Sequence, residues 1–153
     1  ASDVYKRQEN NDGEKLASLF TVDGVYDDYI YGEFKGRRNV AMMLSTHFHR
    51  DAKNFSWEMY DLINNDSKGY ARYRFSFTST LSGSENLKVA VPGMAYFQFD
   101  VNLIEYYGEV VNGGIPMAQL NLPAGKIKRV FEKWSDRALD SDSELKKLYT
   151  KGE

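Results

Sequence analysis

The sequence predicts an α+β domain in which a curved antiparallel sheet wraps around helices and encloses a ligand-sized pocket. Three observations lead there. Four β-rich runs follow one another between residues 55 and 111, separated by short turns. Helical patterns flank them on both sides. Aromatic residues make up 14% of the chain, with eleven Tyr and nine Phe. Tyr pairs an apolar body with a polar tip, which suits a half-polar cavity. Plain strand propensity accounts for the same aromatics equally well.

Residues 3–8 read DVYKRQ. This hexapeptide resembles the in-frame translation of a transposon end used to fragment DNA for sequencing. Residues 1–8 are therefore read as a library-derived scar on a metagenomic, bacterial fragment. Residues 9–153 are read as a single domain with a C-terminal helical extension. Asp12 suits an N-cap, and Leu16, Leu19 and Phe20 follow at helical spacing, the last part of a helix that Val22-Asp23-Gly24 breaks. Val25 to Phe34, with Tyr26, Tyr29, Ile30 and Tyr31 inside it, reads as a short strand or small hairpin. Gly36 to Ala52 reads as a helix, because Val40, Met43, Leu44, His47 and Phe48 recur at i, i+3, i+4, i+7 and i+8. That spacing puts His47 on the buried stripe and leaves His49 off it.

The four β runs are Phe55–Ile63, Gly69–Leu81, Leu87–Phe99 and Leu103–Val111. Asn64-Asn65-Asp66-Ser67, Ser82-Gly83-Ser84 and Asp100-Val101-Asn102 separate them, and such turn residues predict an antiparallel meander. Pro92 inside the third run predicts a bulge or an edge position. Pro123 suits the first turn of a helix carrying an apolar stripe of Ile127, Val130, Phe131, Trp134 and Ala138. Ser141-Asp142-Ser143-Glu144 matches a capping box that opens a short last helix to Tyr149.

Composition excludes several function classes. Net charge is −2, from 20 basic and 22 acidic residues, so neither nucleic acid nor an anionic membrane is the expected partner. The basic clusters near Lys35 and at Lys126–Arg129 read as solvated. The absence of cysteine rules out disulfides, zinc–thiolate sites and thiol nucleophiles. Two histidines, His47 and His49, make a poor start for a metal site. No apolar run reaches the roughly 20 residues that span a bilayer. The sequence has no phosphate-binding Gly-Lys loop and no dinucleotide fingerprint, so no metal or organic cofactor is expected. A cytoplasmic location is the default expectation.

The stretch Asn10–Val40 reads NNDGEKLASLFTVDGVYDDYIYGEFKGRRNV, and Pro92–Gly114 reads PGMAYFQFDVNLIEYYGEVVNGG. Over about residues 9 to 120 the chain resembles the nuclear transport factor 2-like superfamily, and within it the SnoaL-like and ketosteroid-isomerase-like proteins. The first stretch is similar to their opening: a helix ending in Leu-Phe, an Asp-containing turn, an acidic strand, and Gly-x-Phe-x-Gly-Arg before the next helix. The second is similar to their paired last strands. The resemblance implies a cone-shaped α+β barrel, and it implies a homodimer through the outer sheet face. It matches the general base of ketosteroid isomerases to Asp28. The acid partner on the third strand of the meander falls on Ala95 and is absent.

Asp28 is either a general base in an apolar pocket or a hydrogen-bonding turn residue at a strand end. Burial raises a carboxyl pKa toward operating pH, which is what base or acid catalysis needs. Asp27 and Asp28 face opposite ways in an extended segment, so one alone points inward, and Tyr26 shares the face of Asp28. By alternation, Glu105, Tyr107, Glu109 and Val111 share a face. The resemblance turns Tyr107, Glu109 and Val111 inward, making Glu109 either a second buried acid or an outward ladder residue. Asn112 is a pocket-mouth hydrogen bonder or a turn residue. His47 is a satisfied core histidine or a proton shuttle. Tyr73, Phe75 and Phe77 are placed inward, with Arg72 and Arg74 outside. Trp57, Phe75, Phe97 and Tyr107 are the candidate pocket walls, with core filling as the alternative for Trp57.

The functional expectation is cofactor-independent acid/base chemistry, of isomerase, cyclase, hydratase or dehydratase type, on a small apolar substrate. Asp28 is the expected base, with Tyr26, His47 and Glu109 orienting or donating. The alternative is a non-catalytic ligand-binding or dimeric assembly module of the same fold.

Overall fold

The computed structural model describes residues 6–8 and 10–151. Contacts divide the chain into two compact units, Ala1–Leu120 and Asn121–Glu153.

In the first unit, helix α1 (Gly13–Ala17) leads into strand β1 (Phe20–Asp28) and its hairpin partner β2 (Gly32–Lys35). Helix α2 (Arg37–Met43), a π-turn (Leu44–Phe48) and a last turn α3 (His49–Asp51) run on without a break. The meander β3 (Ala52–Asn64), β4 (Lys68–Ser79), β5 (Lys88–Asp100) and β6 (Leu103–Val111) follows, then a short α4 (Gly114–Gln119). The sheet order is β2-β1-β6-β5-β4-β3, an open curved sheet of six strands.

The predicted sheet was wholly antiparallel; the observed one is mixed. β1 lies parallel to β6, pairing Val25 with Tyr106 and Asp27 with Gly108. Local turn chemistry cannot reveal this contact, because about 80 residues of chain intervene. Curvature comes from irregularities. β3 shifts register against β4 between Lys53 and Ser56 and again between Tyr60 and Ile63. Asn54 and Asp61 sit there at φ 54° and 52°, a conformation that Asn and Asp tolerate.

The helices lie against the inner face. Leu16 and Ala17 of α1, with Val40, Met43, Leu44 and Phe48, pack on Phe20, Tyr26, Tyr73, Ala95, Phe97, Ile104 and Tyr107 from the strands. Asp12 caps α1 through the Lys15 N–H at 3.3 Å. Phe20 begins β1 and does not extend the helix. The Val22-Asp23-Gly24 triplet lies within that strand: a Cβ at Gly24 would come 2.9 Å from the Ile104 carbonyl oxygen, so the close approach to β6 needs glycine there.

Pro92 makes no bulge. It pairs with Arg74 in an unbroken β4–β5 ladder, and β6 pairing begins only at Gly93 opposite Val111. On that side Pro92 is an edge residue, which is where proline is tolerated. β6 does carry a bulge. Gln98 pairs with Tyr106 and Phe99 with Ile104, leaving Glu105 as the extra residue. Ile104 therefore points inward and Glu105 outward, which corrects the placement of Glu105 on the face of Tyr107.

The second unit consists of α5 (Ala124–Ser141), preceded by Pro123 as expected, and α6 (Ser143–Thr150). Neither helix buries a residue. The expected capping box is displaced by one position. Asp142 caps α6, accepting from the N–H groups of Glu144 and Leu145 at 3.0 Å each. Ser141 still belongs to α5 and donates to the Ala138 carbonyl.

Candidate active site

Two carboxyl side chains converge on one apolar cavity in the first unit. Asp28, at the end of β1, is 4% exposed. Glu109 extends from β6 and is half-buried. Both line a cavity of about 40 Å³ together with Tyr29, Ile30, Trp57, Tyr73, Phe75, Phe77, Val91, Val111 and Pro116. That volume holds roughly three water molecules. Tyr73, Phe75 and Phe77 come from alternate positions of β4, and Trp57 faces Phe75 across the β3–β4 ladder with ring centroids 4.0 Å apart.

Asp28 is a turn residue and a cavity residue at once. Its Oδ1 accepts the N–H of Ile30 at 2.9 Å and that of Tyr31 at 2.7 Å. Two N–H donors on one oxygen suit a carboxylate acceptor. Asp27 points the other way, and its Oδ2 accepts the Tyr106 hydroxyl at 2.6 Å. The alternation expected for an extended segment thus separates the two acids.

Glu109 is held by phenols. Tyr107 donates to its Oε1 at 2.5 Å, and Tyr26 donates to the same oxygen at 3.4 Å. A main-chain hydrogen bond from Tyr29 also reaches the carboxyl. Burial and the neighbouring Asp28 carboxylate push its pKa up to about 8, against the opposing pull of these donors. At pH 7 the Glu109 carboxyl therefore favours its protonated form, with Oε1 accepting from both phenols. An acid that is neutral at pH 7 beside a carboxylate is a pair whose environments have split their roles.

Several predicted residues lie elsewhere. Tyr26 and Tyr107 are fully buried, pack with tilted rings at a centroid distance of 4.5 Å, and reach the cavity through Glu109. Gln8 donates to the Tyr26 hydroxyl and is itself buried. Gln8 belongs to the segment read as a scar, of which residues 1–5 lie outside the described residues. Phe97 is a core residue stacked on Phe99 and edge-on to Tyr107, outside the cavity lining. His47 is half-buried, its ring edge-on to Tyr31 and Phe34 and its Nδ1 bonded to Thr46. The π-turn advances the helix by one extra residue here, turning Phe48 to the core and His47 aside. Asn112 is exposed and accepts the Gly114 N–H at 3.1 Å, a turn role. Ala95 is fully buried beside Glu109 in the β5–β6 ladder.

Tyr31 was not singled out by the sequence. Its hydroxyl donates to Asp51 Oδ2 at 2.7 Å. An aromatic between Asp28 and Gly32 was the available signal, but nothing local marks its partner twenty residues on. Among the described residues, no group of three or more His, Cys, Asp or Glu side chains is placed to hold a metal ion. No helix among them is long and apolar enough to cross a membrane.

An open, curved, mixed sheet over helices, with acids opening into its hollow, defines an α+β cone of the nuclear transport factor 2-like class. Within that class the SnoaL-like domain family matches residues 1–107, and the chain belongs to that family. No curated protein matches the sequence. Similar solved structures include a hypothetical protein with a ketosteroid isomerase-like fold from Catenulispora acidiphila, in complex with trimethylamine. It is 16% identical with a TM-score of 0.72, over 81% of this chain and 93% of that one. A candidate SnoaL-like polyketide cyclase from Shewanella putrefaciens is 14% identical with a TM-score of 0.67, over 80% and 93%. An epoxide hydrolase of M. tuberculosis, described as LEH-like, is 13% identical with a TM-score of 0.64, over 78% and 84%. At these identities the likeness concerns the fold.

Proposed function

We propose that the chain is an enzyme of cofactor-independent acid/base chemistry acting on a small, largely apolar substrate. One observation carries this: Asp28 and Glu109 open into the same apolar cavity, where burial and the neighbouring Asp28 raise the Glu109 pKa. In the proposed step, the Asp28 carboxylate removes a proton from the substrate or from a water, while the protonated Glu109 carboxyl donates its proton to the oxygen on which charge develops. The net proton count of the pair is unchanged, and return transfer resets it. Isomerisation, cyclisation and hydration all share this step. Similar folds bearing the names polyketide cyclase and epoxide hydrolase support the reading.

Asp28→Asn tests it. Asn keeps the Oδ1 acceptor for the Ile30 and Tyr31 N–H groups, so the turn and the thermal stability stay close to wild type. Turnover falls by about 10²- to 10⁴-fold, the usual range for losing a general base. Persistent activity in this variant sinks the assignment.

The cavity volume favours one second reading. About 40 Å³ is far below the roughly 300 Å³ of an ordinary small-molecule pocket. A non-catalytic module with aromatics filling its hollow has that property. A ligand thermal-shift screen in which no small carbonyl compound or epoxide raises the melting temperature supports the module over the enzyme.

A further inference from the structure

Three consecutive main-chain N–H groups serve the two carboxyls. Tyr29 reaches Glu109, and Ile30 and Tyr31 reach Asp28 Oδ1 at 2.9 and 2.7 Å. All three lie in the turn between β1 and β2, so a single backbone segment sets both acids. A segment of three residues cannot fix itself, and its position depends on what anchors its ends. Upstream it is continuous with β1 and downstream with β2, whose Gly32 pairs with Asp28. Beyond the hairpin, its side-chain anchor is Tyr31, which crosses to the end of the α2–α3 helical stretch and donates its hydroxyl to Asp51 Oδ2 at 2.7 Å.

Asp51 is well seated. Arg50 grips it with Nε at 2.6 Å and Nη2 at 2.7 Å. The Asp51 carbonyl accepts the Thr80 N–H at 2.9 Å, and the Thr80 hydroxyl bonds the Arg50 carbonyl at 2.9 Å. The anchor thus joins the end of α3 to the segment after β4. The Tyr31 ring packs against His47 and Phe48 at centroid distances of 4.9 and 5.8 Å, so the ring stays in place if its hydroxyl is removed.

From this arrangement we infer that Tyr31 is a positioning residue: its hydrogen bond to Asp51 holds the Tyr29–Tyr31 turn, and through that turn it sets both Asp28 and Glu109. The inference rests on the acid-pair reading above, but its test needs no substrate. The latch persists over the range where Glu109 titrates. The Arg50 guanidinium holds the Asp51 carboxyl below the usual carboxylate range, and burial together with Asp51 raises the Tyr31 phenol. The groups facing Glu109 are Asp28 and Tyr26 from β1 and Tyr107 from β6. Those facing the latch are Asp28, Arg50 and Asp51, with His47 beside Asp51.

The experiment follows the carboxyl carbons of the full chain, labelled with carbon-13 at Asp and Glu, by NMR from pH 4 to 10. Glu109→Gln identifies the Glu109 resonance. In Tyr31→Phe the Tyr29 N–H loosens its hold on Glu109, and because that bond lowers the pKa, the Glu109 midpoint moves upward by about half a pH unit or more. Asp51→Ala gives the same shift, and the double variant adds nothing to either single one. Asp51→Asn keeps an oxygen acceptor and restores the wild-type midpoint. A Tyr31→Phe protein that melts at lower temperature with an unmoved Glu109 midpoint overturns the inference, as does a midpoint moved equally by Asp51→Ala and Asp51→Asn. Activity separates this from the parent reading. If Asp28→Asn retains full turnover while the midpoint shifts, the acid-pair chemistry fails and the latch stands. If Asp28→Asn is inactive and the midpoint is unmoved, the chemistry stands and the latch fails.

Discussion

A carboxyl that loses its proton near pH 8 in the folded chain, against an ordinary value of 4.5, makes stability depend on pH in a definite direction. Below pH 4.5 both folded and unfolded Glu109 are protonated. Between 4.5 and 8 the folded chain keeps a proton that the unfolded chain has released, so stability falls as pH rises, by at most about 1.4 kcal/mol per unit. Above pH 8 both forms are ionised and this contribution is flat. Glu109→Gln abolishes the slope, and Gln still offers an oxygen to Tyr107 and Tyr26. Urea unfolding at pH 5, 7, 8 and 9 measures it: the stability of the variant relative to wild type should grow from pH 5 to about 8 and level off above that. A constant difference would mean that Glu109 titrates as an ordinary exposed glutamate. Tyr107→Phe acts on the same group in the opposite way to adding a donor. It removes a hydrogen bond that lowers the pKa, so the Glu109 midpoint should rise and the falling limb of the stability curve should extend to higher pH.

Among the elements, β5 gives the sharpest mechanical prediction. A Cβ on Gly93 would lie 2.2 Å from Cζ of Tyr73, whose side chain is 1% exposed. Gly93→Ala therefore forces the ring toward the cavity and destabilises the fold by about 1 to 3 kcal/mol, the usual range for overpacking. Differential scanning calorimetry reads this directly, and Gly93→Ala combined with Tyr73→Phe recovers little, because the ring itself makes the clash. The meander around this glycine was legible because its turns are local: Asn64–Ser67, Gly83 and Asn102 each mark a strand end by chemistry that needs no partner. Alternation turned one of Asp27 and Asp28 inward, and the family resemblance chose Asp28. What stayed hidden depends on distant chain. The start of β1 at Phe20 is decided by its pairing with Ile104. The bulge at Glu105 reverses the face of the first half of β6, and its cause lies in the β5 register. The π-turn diverts His47 from the stripe that a regular helix would give it. Tyr31 gains its role from Asp51, a residue that an uninterrupted helix pattern treats as a solvated end.

For the whole molecule, the outer sheet face is the surface where assembly is expected. Met94 is 47% exposed and pairs with Val110, which is 74% exposed. Tyr70, also largely exposed, faces Tyr96 across the ladder at a ring distance of 5.1 Å, and Tyr106 extends the row at 6.1 Å from Tyr96. Beside them Arg72 and Arg74 are paired with Asp61 and Glu58 and lie over the Tyr60 ring at 4.8 and 4.2 Å, so their charge is balanced within the sheet. An apolar and aromatic patch flanked by internally neutralised charge is suited to burial against an identical surface, since little net charge is desolvated when two copies meet. We predict a homodimer through this face. Light scattering at micromolar concentration should report twice the 17.6 kDa chain mass. Val110→Lys places a cation at the centre of the patch in each copy and should give the monomer mass, with the far-ultraviolet circular dichroism unchanged because the side chain already points to solvent. A wild-type monomer peak under these conditions overturns the prediction. A Val110→Lys protein that remains dimeric moves the interface away from β5 and β6. Because the patch and the cavity lie on opposite faces of the sheet, the Glu109 titration should be the same in the monomeric variant as in the dimer.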